Sequence, residues 1–277
     1  MFKPRKKRRA KALGQHFLKN PLFLKKIIHT IRPQKNALLI EIGAGRGALT
    51  FPLAEKAGRV IAIEKDRSLA TFLQKKDLAN LTVLVEDVLK VDFKRLLEKN
   101  SWDTVKLVGN LPYSISSPLL FKILGEKELF SECIFLFQKE FAERICAQPG
   151  TKKYAPLSII LQVYFSAKLC FFVPPESFSP PPRVESALVS LKRREKPLFH
   201  IEKGQAFQEF LKGAFQHRRK TLFNNLVKLD YPAPFLKKAF LKLDIKDPLR
   251  PEQLTISRYV ELFRFLGEIP SKKQKNK

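Results

Sequence analysis

The sequence predicts a doubly wound α/β domain followed by a small, all-helical domain. Two observations support this prediction. In the first part of the chain, short apolar runs rich in β-branched residues recur about every 22 to 29 positions and alternate with segments of helical periodicity. From about residue 196 onward, these strand-like runs stop and amphipathic helical segments take their place.

The first domain is predicted to contain five central strands. Between them lie segments with helical spacing, such as ALTFPLAEKA and RSLATFLQKK. Strands that alternate with helices in this way are parallel and joined by right-handed crossovers, and they are apolar on both faces because helices cover both. The five strand runs are ALLIEIG (37–43), RVIAIE (59–64), LTVLVE (81–86), TVKLVGN (104–110) and CIFLFQ (133–138).

The pattern changes after residue 138. KEFAERICAQ and PLSIILQVYF have helical character, although the second is short and apolar enough to form a strand. KLCFFVPP and ESALVSLK, joined by the proline-rich FSPPPRV, are predicted to be a strand pair at the sheet edge. We place the domain boundary between residues 194 and 195, and we expect the tail SKKQKNK to be disordered. The helical segments of the second domain are QAFQEFLKGAFQHRRKTLFNNL, PFLKKAFLKL and RPEQLTISRYVELFRFL.

The charge of the chain indicates a polyanionic partner. Its 277 residues include 53 Lys and Arg against 26 Asp and Glu, which gives a net charge of +27. Residues 1–11 carry seven basic groups and no acid, and residues 195–277 carry 18 basic and 9 acidic groups, so that +11 remains for the middle. Cations spread over the whole body suit a phosphate backbone, and nucleic acid is the first candidate. A generally basic proteome is the alternative explanation.

The cysteines and the hydropathy pattern indicate a cellular compartment. Cys133, Cys146 and Cys170 have no CxxC spacing and lie in apolar contexts, as expected of buried thiols in a reducing compartment. No run approaches the roughly 18 apolar residues that a membrane span requires. We therefore expect a soluble, cytoplasmic monomer without a metal site, since no residues have metal-ligand spacing. The basic N-terminal arm also fits an address signal, and this alternative stays open.

Three strand ends predict an adenosine-type cofactor. The turn EIGAGRGALT (41–50) places Gly43 where the backbone can approach a ligand closely. Glu64, at the end of the second strand, can accept hydrogen bonds from both ribose hydroxyls, and Asp87 after the third can accept from an adenine amine. Nicotinamide dinucleotides, flavins and S-adenosylmethionine all carry this ribose. These strand ends therefore leave the identity of the cofactor open.

The segment NLPY at the end of the fourth strand indicates the chemistry. An adenine amine is a poor nucleophile because its lone pair is delocalised into the ring, and two carbonyl acceptors would make the nitrogen more pyramidal. The side chain of Asn110 offers one acceptor and the backbone of Leu111 another, with its direction restricted by Pro112. Tyr113 can stack on a base taken out of its helix.

These motifs together resemble one family. The chain is similar to the small-subunit (16S) ribosomal RNA adenine dimethyltransferases, the kasugamycin-resistance methyltransferases. The segments that carry this similarity are NLPYSISSPL, LGQHFL (13–18), EIGAGRGALT, VEDV, QKEFAERICAQPGTKKYAPLSIILQ and VPPESFSPPPRVESALV. The similarity covers about residues 11 to 265. Two departures are His16 and Ser114, where the family often has Asn. The resemblance implies a Rossmann-like, class I S-adenosylmethionine-dependent methyltransferase domain.

The resemblance also implies roles for individual residues. Asn110, Leu111, Pro112 and Tyr113 would form the target pocket, with Phe178 covering the other face of the base. The implied contacts to S-adenosylmethionine are His16, Leu18, Gly43, Glu64, Asp87 and Asn110.

The activity that the resemblance implies is transfer of methyl groups to the exocyclic amines of two adjacent adenosines. These lie in a hairpin loop near the 3′ end of 16S rRNA, in the small ribosomal subunit or its precursor, where unstacking a base costs less than in a duplex. The basic segments 3–11, KRR (192–194) and QHRRK (216–220) are expected to hold the rRNA backbone.

Three other functions are compatible with part of the sequence. The large-subunit rRNA adenine methyltransferases have a pocket motif that resembles NIPY, so Leu111 favours the small-subunit group. A nicotinamide-dependent oxidoreductase shares the glycine turn and Glu64 but leaves NLPY and the net charge unexplained. A mainly non-catalytic factor in small-subunit assembly belongs to a different class, and such a role is compatible with enzymatic activity.

Overall fold

The computed structural model describes residues 16–98 and 102–267, and the chain divides into two compact units. The first unit contains the residues up to 142 together with 166–193, and the second contains 143–165 together with the residues from 194 onward. The basic arm (3–11), the tail SKKQKNK, which is predicted to be disordered, and the start of LGQHFL lie outside the described residues.

A seven-stranded sheet forms the centre of the first unit. Its order is β4-β3-β2-β5-β6-β9-β7. The neighbours from β4 to β6 are parallel, and β9 pairs antiparallel with β6. The strands are β2 (Ala37–Ile42), β3 (Arg59–Ile63), β4 (Leu81–Leu84), β5 (Thr104–Asn110), β6 (Glu132–Gln138), β7 (Phe165–Val173) and β9 (Ser186–Arg193). The five predicted central strands and the closing strand pair are all present, which confirms the predicted sheet.

Burial explains why these runs form strands. Every residue of β2 is buried, as are four of the five residues of β3, because central parallel strands are covered on both faces. By contrast, β4 lies at the sheet edge and is only half-buried. Apart from the sheet, a short antiparallel ribbon joins β1 (Phe17–Leu18) to β8 (Phe178–Ser179), with Leu18 opposite Phe178.

Three helices of the first unit begin at a polar side chain that caps the first turn. The Asn20 amide oxygen accepts from the Leu22 N–H, and the Asp66 carboxylate accepts from the N–H groups of Ser68 and Leu69. Each contact satisfies a backbone donor in the first helical turn. The helices are α1 (Pro21–Ile31), α2 (Thr50–Lys56), α3 (Arg67–Gln74), α4 (Phe93–Leu97), α5 (Ser116–Gly125) and α6 (Lys139–Ile145), of which α6 crosses into the second unit.

The second unit is helical in its described part. Its helices are α7 (Pro156–Tyr164), α8 (Gly204–Ala214), α9 (Leu222–Val227), α10 (Ala233–Lys242) and α11 (Ile256–Leu266). Aromatic side chains form much of its interior: Phe207 and Phe210 are fully buried and both contact Phe263. The predicted all-helical character is thus observed, and the ambiguous segment PLSIILQVYF forms the helix α7 rather than a strand.

One segment differs from the predicted domain boundary. Residues 143–165 precede that boundary in sequence but pack with the residues from 194 onward. Buried polar contacts tie this segment together: the Gln162 side chain donates to the carbonyls of Ile145 and Ala147, and the Ser158 hydroxyl donates to the Arg144 carbonyl. The chain therefore enters the second unit, returns to the sheet through β7, and leaves it again after β9.

Of the three cysteines, Cys133 is buried, whereas Cys146 and Cys170 are half-buried. The prediction of three buried thiols is therefore wrong for two of them, because Cys146 lies in the turn after α6 and Cys170 lies in the half-buried edge strand β7. Within residues 16–98 and 102–267, no helix is both long and apolar enough to cross a membrane.

Candidate active site

The strand order reverses between β2 and β5, which are neighbours in the sheet although far apart in the chain. Their backbones pass closely: a Cβ added to Gly109 would lie 2.4 Å from the Ile42 carbonyl oxygen. A Cβ added to Gly43 would lie 3.7 Å from both the Asn110 carbonyl oxygen and Pro112 Cδ. The glycine turn and NLPY therefore meet at the point where ligands bind in sheets of this kind.

The glycine turn folds around a buried carboxylate. Gly45 has a φ of +57°, in the left-handed region that favours glycine, and a Cβ there would lie 2.9 Å from the Phe17 ring. Its N–H donates to Glu64 Oε2 at 2.8 Å, while the Asp66 N–H donates to Glu64 Oε1 at 2.9 Å. Glu64 is only 3% exposed. Two backbone donors thus fix the direction of this carboxylate.

A cavity of about 500 Å³ opens above these strand ends. It is lined by Gly43 after β2, Glu64 after β3, Asp87 after β4 and Asn110 at the end of β5. His16 also lines it. Five of the six residues predicted to bind the cofactor therefore lie around one cavity. The sixth, Leu18, is buried and lines a second cavity instead.

Asp87 is held by a neighbouring lysine. The Lys65 Nζ lies 2.8 Å from Asp87 Oδ2, and the Leu89 N–H donates to Asp87 Oδ1 at 3.1 Å. The hydrogen bond from Lys65 is the main cause that lowers the pKa of Asp87 below its ordinary value. The carboxylate therefore stays ionised at neutral pH and acts as an acceptor.

The Asn110 amide has a defined orientation. Its Nδ2 donates to the His16 carbonyl at 2.7 Å. Because the amide nitrogen donates to this carbonyl, the amide oxygen Oδ1 is left as a hydrogen-bond acceptor. No group in the described part of the chain donates a hydrogen bond to Oδ1. The Pro112 carbonyl accepts from the Ile115 N–H, and Leu111 is buried. The segment thus presents an oriented acceptor beside a rigid backbone turn.

The Tyr113 ring is anchored at its hydroxyl and flanked by His16. The hydroxyl lies 2.9 Å from the Ser186 Oγ. The His16 ring is nearly parallel to it, with an interplanar angle of 28° and ring centroids 5.9 Å apart. Partial burial raises the pKa of Tyr113 above its ordinary value, so the phenol is neutral at physiological pH. Because its hydroxyl is held by a hydrogen bond, this neutral ring offers a fixed surface on which a planar base can stack.

A second cavity of about 1530 Å³ adjoins the same residues, since Gly43, Asn110 and Tyr113 line it as well. Ser179 and Pro180 of the proline-rich segment contribute to its wall. Phe178 lines neither cavity. It is 1% exposed and packs in the hydrophobic core with Leu18. The four NLPY residues therefore line one cavity, whereas Phe178 lies in the hydrophobic core and not in that cavity.

Glu41 is a buried acid for which the sequence predicted no role in the site. It is 2% exposed in the second cavity, and Oε2 has no hydrogen-bond partner in the described chain. Burial, together with the charge of Glu64, raises the pKa of Glu41 to about 8, while the Thr50 hydroxyl opposes this rise. The carboxyl group is therefore largely protonated at neutral pH.

A pH-dependent stability follows for Glu41. Because its folded-state pKa is raised, the folded protein holds a proton that the unfolded chain releases, and stability falls as pH rises from 4.5 to about 8. We expect the melting temperature of the wild type to fall relative to that of Glu41→Gln across this window. Thermal unfolding at a series of pH values measures this, with the exposed Glu55→Gln as control. A difference that does not change with pH contradicts the expectation.

Comparison with known proteins identifies the family. The sequence profile of the family described as ribosomal RNA adenine dimethylase matches residues 6–268. The chain belongs to the ribosomal RNA adenine dimethylase family. It is thus a methyltransferase that modifies rRNA, and the resemblance predicted from the motifs is confirmed.

Two relatives show how far this similarity extends. A protein of Xylella fastidiosa named ribosomal RNA small subunit methyltransferase A is 39% identical over 254 residues, which cover 91% of this chain and 94% of the relative. A protein of Streptococcus mutans with the same name is 41% identical over 270 residues, covering 95% and 93%. The similarity to these members of the dimethylase family therefore includes both units.

Solved structures agree with the fold. A dimethyladenosine transferase from Plasmodium falciparum superposes with a TM-score of 0.79 at 29% identity and covers 91% of this chain and 99% of its own. The 23S rRNA methyltransferase ErmE has a TM-score of 0.70 at 23% identity, covering 90% and 99%, and this likeness concerns the fold alone. The predicted Rossmann-like methyltransferase fold is confirmed.

Several site residues of this dimethylase were not predicted. Phe17 contacts the glycine turn, Lys65 fixes Asp87, and Ser186 holds Tyr113. Lys65 could have been found, since it directly follows Glu64 at a strand end. Ser186 could not have been found from strand ends alone, because it begins a strand that runs antiparallel to β6 and therefore starts at the edge where β6 ends.

Proposed function

We propose that this enzyme dimethylates the exocyclic amines of two adjacent adenosines in a hairpin loop of 16S rRNA, with S-adenosylmethionine as the methyl donor. The observation that carries this proposal is the orientation of Asn110. Its Nδ2 donates to the His16 carbonyl, which leaves Oδ1 as an acceptor next to Tyr113. The names of the relatives support the small subunit as the substrate particle.

The first cavity fits the proposed cofactor. The adenosine ribose needs a carboxylate that accepts from both hydroxyls, and Glu64 is held in place for this by two backbone donors. Asp87, ionised beside Lys65, is suited to accept from the adenine amine. When bound, S-adenosylmethionine supplies a methyl group on a positively charged sulfur, which makes that carbon electrophilic.

The residues of NLPY would prepare the target amine. Asn110 Oδ1 and the Leu111 carbonyl would each accept one N–H of the amine, which localises the lone pair on nitrogen. Tyr113 would hold the extruded base by stacking. No strong general base is needed, because the alkylated nitrogen is acidic and loses its proton to solvent. In this proposal Phe178 would reach the base only after moving out of the core.

The basic segments predicted to hold rRNA differ in how free their side chains are. Arg218 donates to the carbonyls of Lys152 and Tyr154, and Arg194 donates to the Gln162 carbonyl, so both arginines help to fold the second unit. Arg219 and Lys220, in the same QHRRK segment, are exposed like Arg218 but make no such bonds to backbone carbonyls within the described residues. We therefore propose that this exposed pair contacts phosphates and that Arg218 positions the loop.

Methyl transfer from labelled S-adenosylmethionine to immature small subunits tests the proposed function. We expect label on the small-subunit RNA and dimethyladenosine after digestion, as identified by mass spectrometry. Isolated large subunits serve as the control substrate. Label found only on large-subunit RNA would favour the large-subunit methyltransferases instead, and binding of small subunits without transfer would favour an assembly factor.

A further inference from the structure

The contact between half-buried Tyr113 and buried Ser186 anchors a ring of the proposed target pocket, but no step of the methyl transfer has yet been assigned to it. Ser186 is 0% exposed at the start of β9, opposite Gln138 of β6. Its hydroxyl lies 2.9 Å from the Tyr113 hydroxyl. Because Ser186 belongs to the seven-stranded sheet, the contact ties a side chain of the 3₁₀ turn after β5 to the centre of the unit.

His16 restrains the same ring from another direction. Its Nδ1 donates to the Pro180 carbonyl at 2.7 Å, and its own carbonyl accepts from Asn110 Nδ2. His16 is therefore held once through its ring and once through its backbone, and its ring lies nearly parallel to that of Tyr113. Between His16 and Ser186, the Tyr113 ring is restricted in both of its side-chain rotations.

We propose that Ser186 is a positioning residue whose bond to Tyr113 determines how efficiently the second methyl group is added to each adenine. This inference rests on the proposed dimethyltransferase function. In each transfer the nitrogen lone pair forms the new C–N bond, the C–S bond breaks with its electrons left on sulfur, and one N–H proton leaves. The two transfers differ in what holds the amine before this step.

Before the first transfer the amine has two N–H groups, and both proposed acceptors, Asn110 Oδ1 and the Leu111 carbonyl, can be used. After it, one N–H remains, so one hydrogen bond to the pocket is lost. The monomethylated base must then be held more by stacking on Tyr113. A ring that is free to rotate provides less of that restraint, so loss of the Ser186 bond slows the second transfer more than the first.

Ser186→Ala in the full chain tests this inference. With immature small subunits as substrate, monomethyladenosine and dimethyladenosine are followed over time by mass spectrometry. We expect the rate of the second transfer to fall about fivefold relative to the first, the effect of one hydrogen bond, so that monomethyladenosine accumulates. Tyr113→Phe removes the same bond from its other end, and the double variant is expected to resemble either single variant.

Matched variants separate positioning from folding. Ser190→Ala removes the hydroxyl bond to Glu132, 2.6 Å long, on the same strand but without contact to Tyr113, and is expected to keep the wild-type product ratio. Ser186→Thr keeps a hydroxyl and is expected to restore dimethylation in part. Equal slowing of both transfers in Ser186→Ala, or an unchanged product ratio in both Ser186→Ala and Tyr113→Phe, overturns the inference. Absence of dimethyladenosine with the wild-type enzyme instead overturns the proposed function.

Discussion

Asn110→Ala is expected to lower the rate of methyl transfer by about a hundredfold or more while leaving binding to small subunits unchanged. The side chain faces a cavity at the switch point of the sheet, so its loss removes an acceptor aimed at the place where the nitrogen becomes more pyramidal. Binding to the ribosomal RNA depends mainly on phosphate contacts elsewhere on a chain of net charge +27 and is not expected to change.

A second substitution at this position distinguishes the effect of the acceptor oxygen on activity from the effect of its orientation. Asn110→Asp keeps an oxygen but loses the Nδ2 donor that bonds the His16 carbonyl, and it brings a negative charge near that carbonyl. We expect its activity to lie between those of the wild type and Asn110→Ala. Both variants are compared in single-turnover methylation, with small-subunit binding measured in parallel.

The control for this series is Asn36→Ala. Asn36 is an exposed asparagine whose amide donates to Asp103 outside the site, and its loss is expected to leave turnover at the wild-type level. Turnover of Asn110→Ala within a factor of about three of the wild type would show that the two-acceptor pocket is wrong. Loss of RNA binding together with turnover would show that Asn110 supports the fold instead.

Much of the fold could be predicted because its pattern is local. The strand runs of β2, β3 and β5 are mostly apolar and contain several β-branched residues, as is typical of central parallel strands, and each is found within one or two residues of the predicted position. The closing strand β9 was also predictable from its own sequence. What the sequence could not show is that residues 143–165 leave the first unit, because this depends on long-range contacts such as the bond from the Arg194 side chain to the Gln162 carbonyl.

The site was predictable where residues follow strands directly. Gly43, Glu64, Asp87 and Asn110 each end or follow a parallel strand, and parallel strands present their carboxyl ends at one edge of the sheet. Phe178 shows the limit of this reasoning. Its position depends on how the proline-rich segment packs after β8, and the structure places it in the core beside Leu18. Long-range packing of that kind leaves no periodic trace in the sequence.

Glu41 marks the same limit for electrostatics. It lies two residues before Gly43 in a strand whose burial was correctly predicted. Its raised pKa, however, results mainly from complete burial and in part from the charge of Glu64, which follows another strand. A sequence shows that an acid stands in an apolar run, whereas the shift of its pKa depends on the neighbours that the fold brings to it.

The second large effect is expected at Glu64. Glu64→Gln should weaken binding of S-adenosylhomocysteine, the proposed reaction product, by about tenfold to a hundredfold. Two backbone donors, the N–H groups of Gly45 and Asp66, both point at this carboxylate. A glutamine can accept from one of them with its oxygen, but its NH₂ group then faces the other donor. The glutamine also lacks the charge that strengthens hydrogen bonds from ribose hydroxyls.

Isothermal titration calorimetry of the full chain with S-adenosylhomocysteine measures this effect without relying on turnover. Glu55→Gln is the matched control, since Glu55 is exposed on α2 and lines neither cavity, and its affinity is expected to equal that of the wild type. A thermal unfolding curve establishes that Glu64→Gln is folded. If folded Glu64→Gln binds within about twofold of the wild type, the carboxylate organises the glycine turn and does not hold the ribose, because the loss of even one charge-assisted hydrogen bond would weaken binding by more than that.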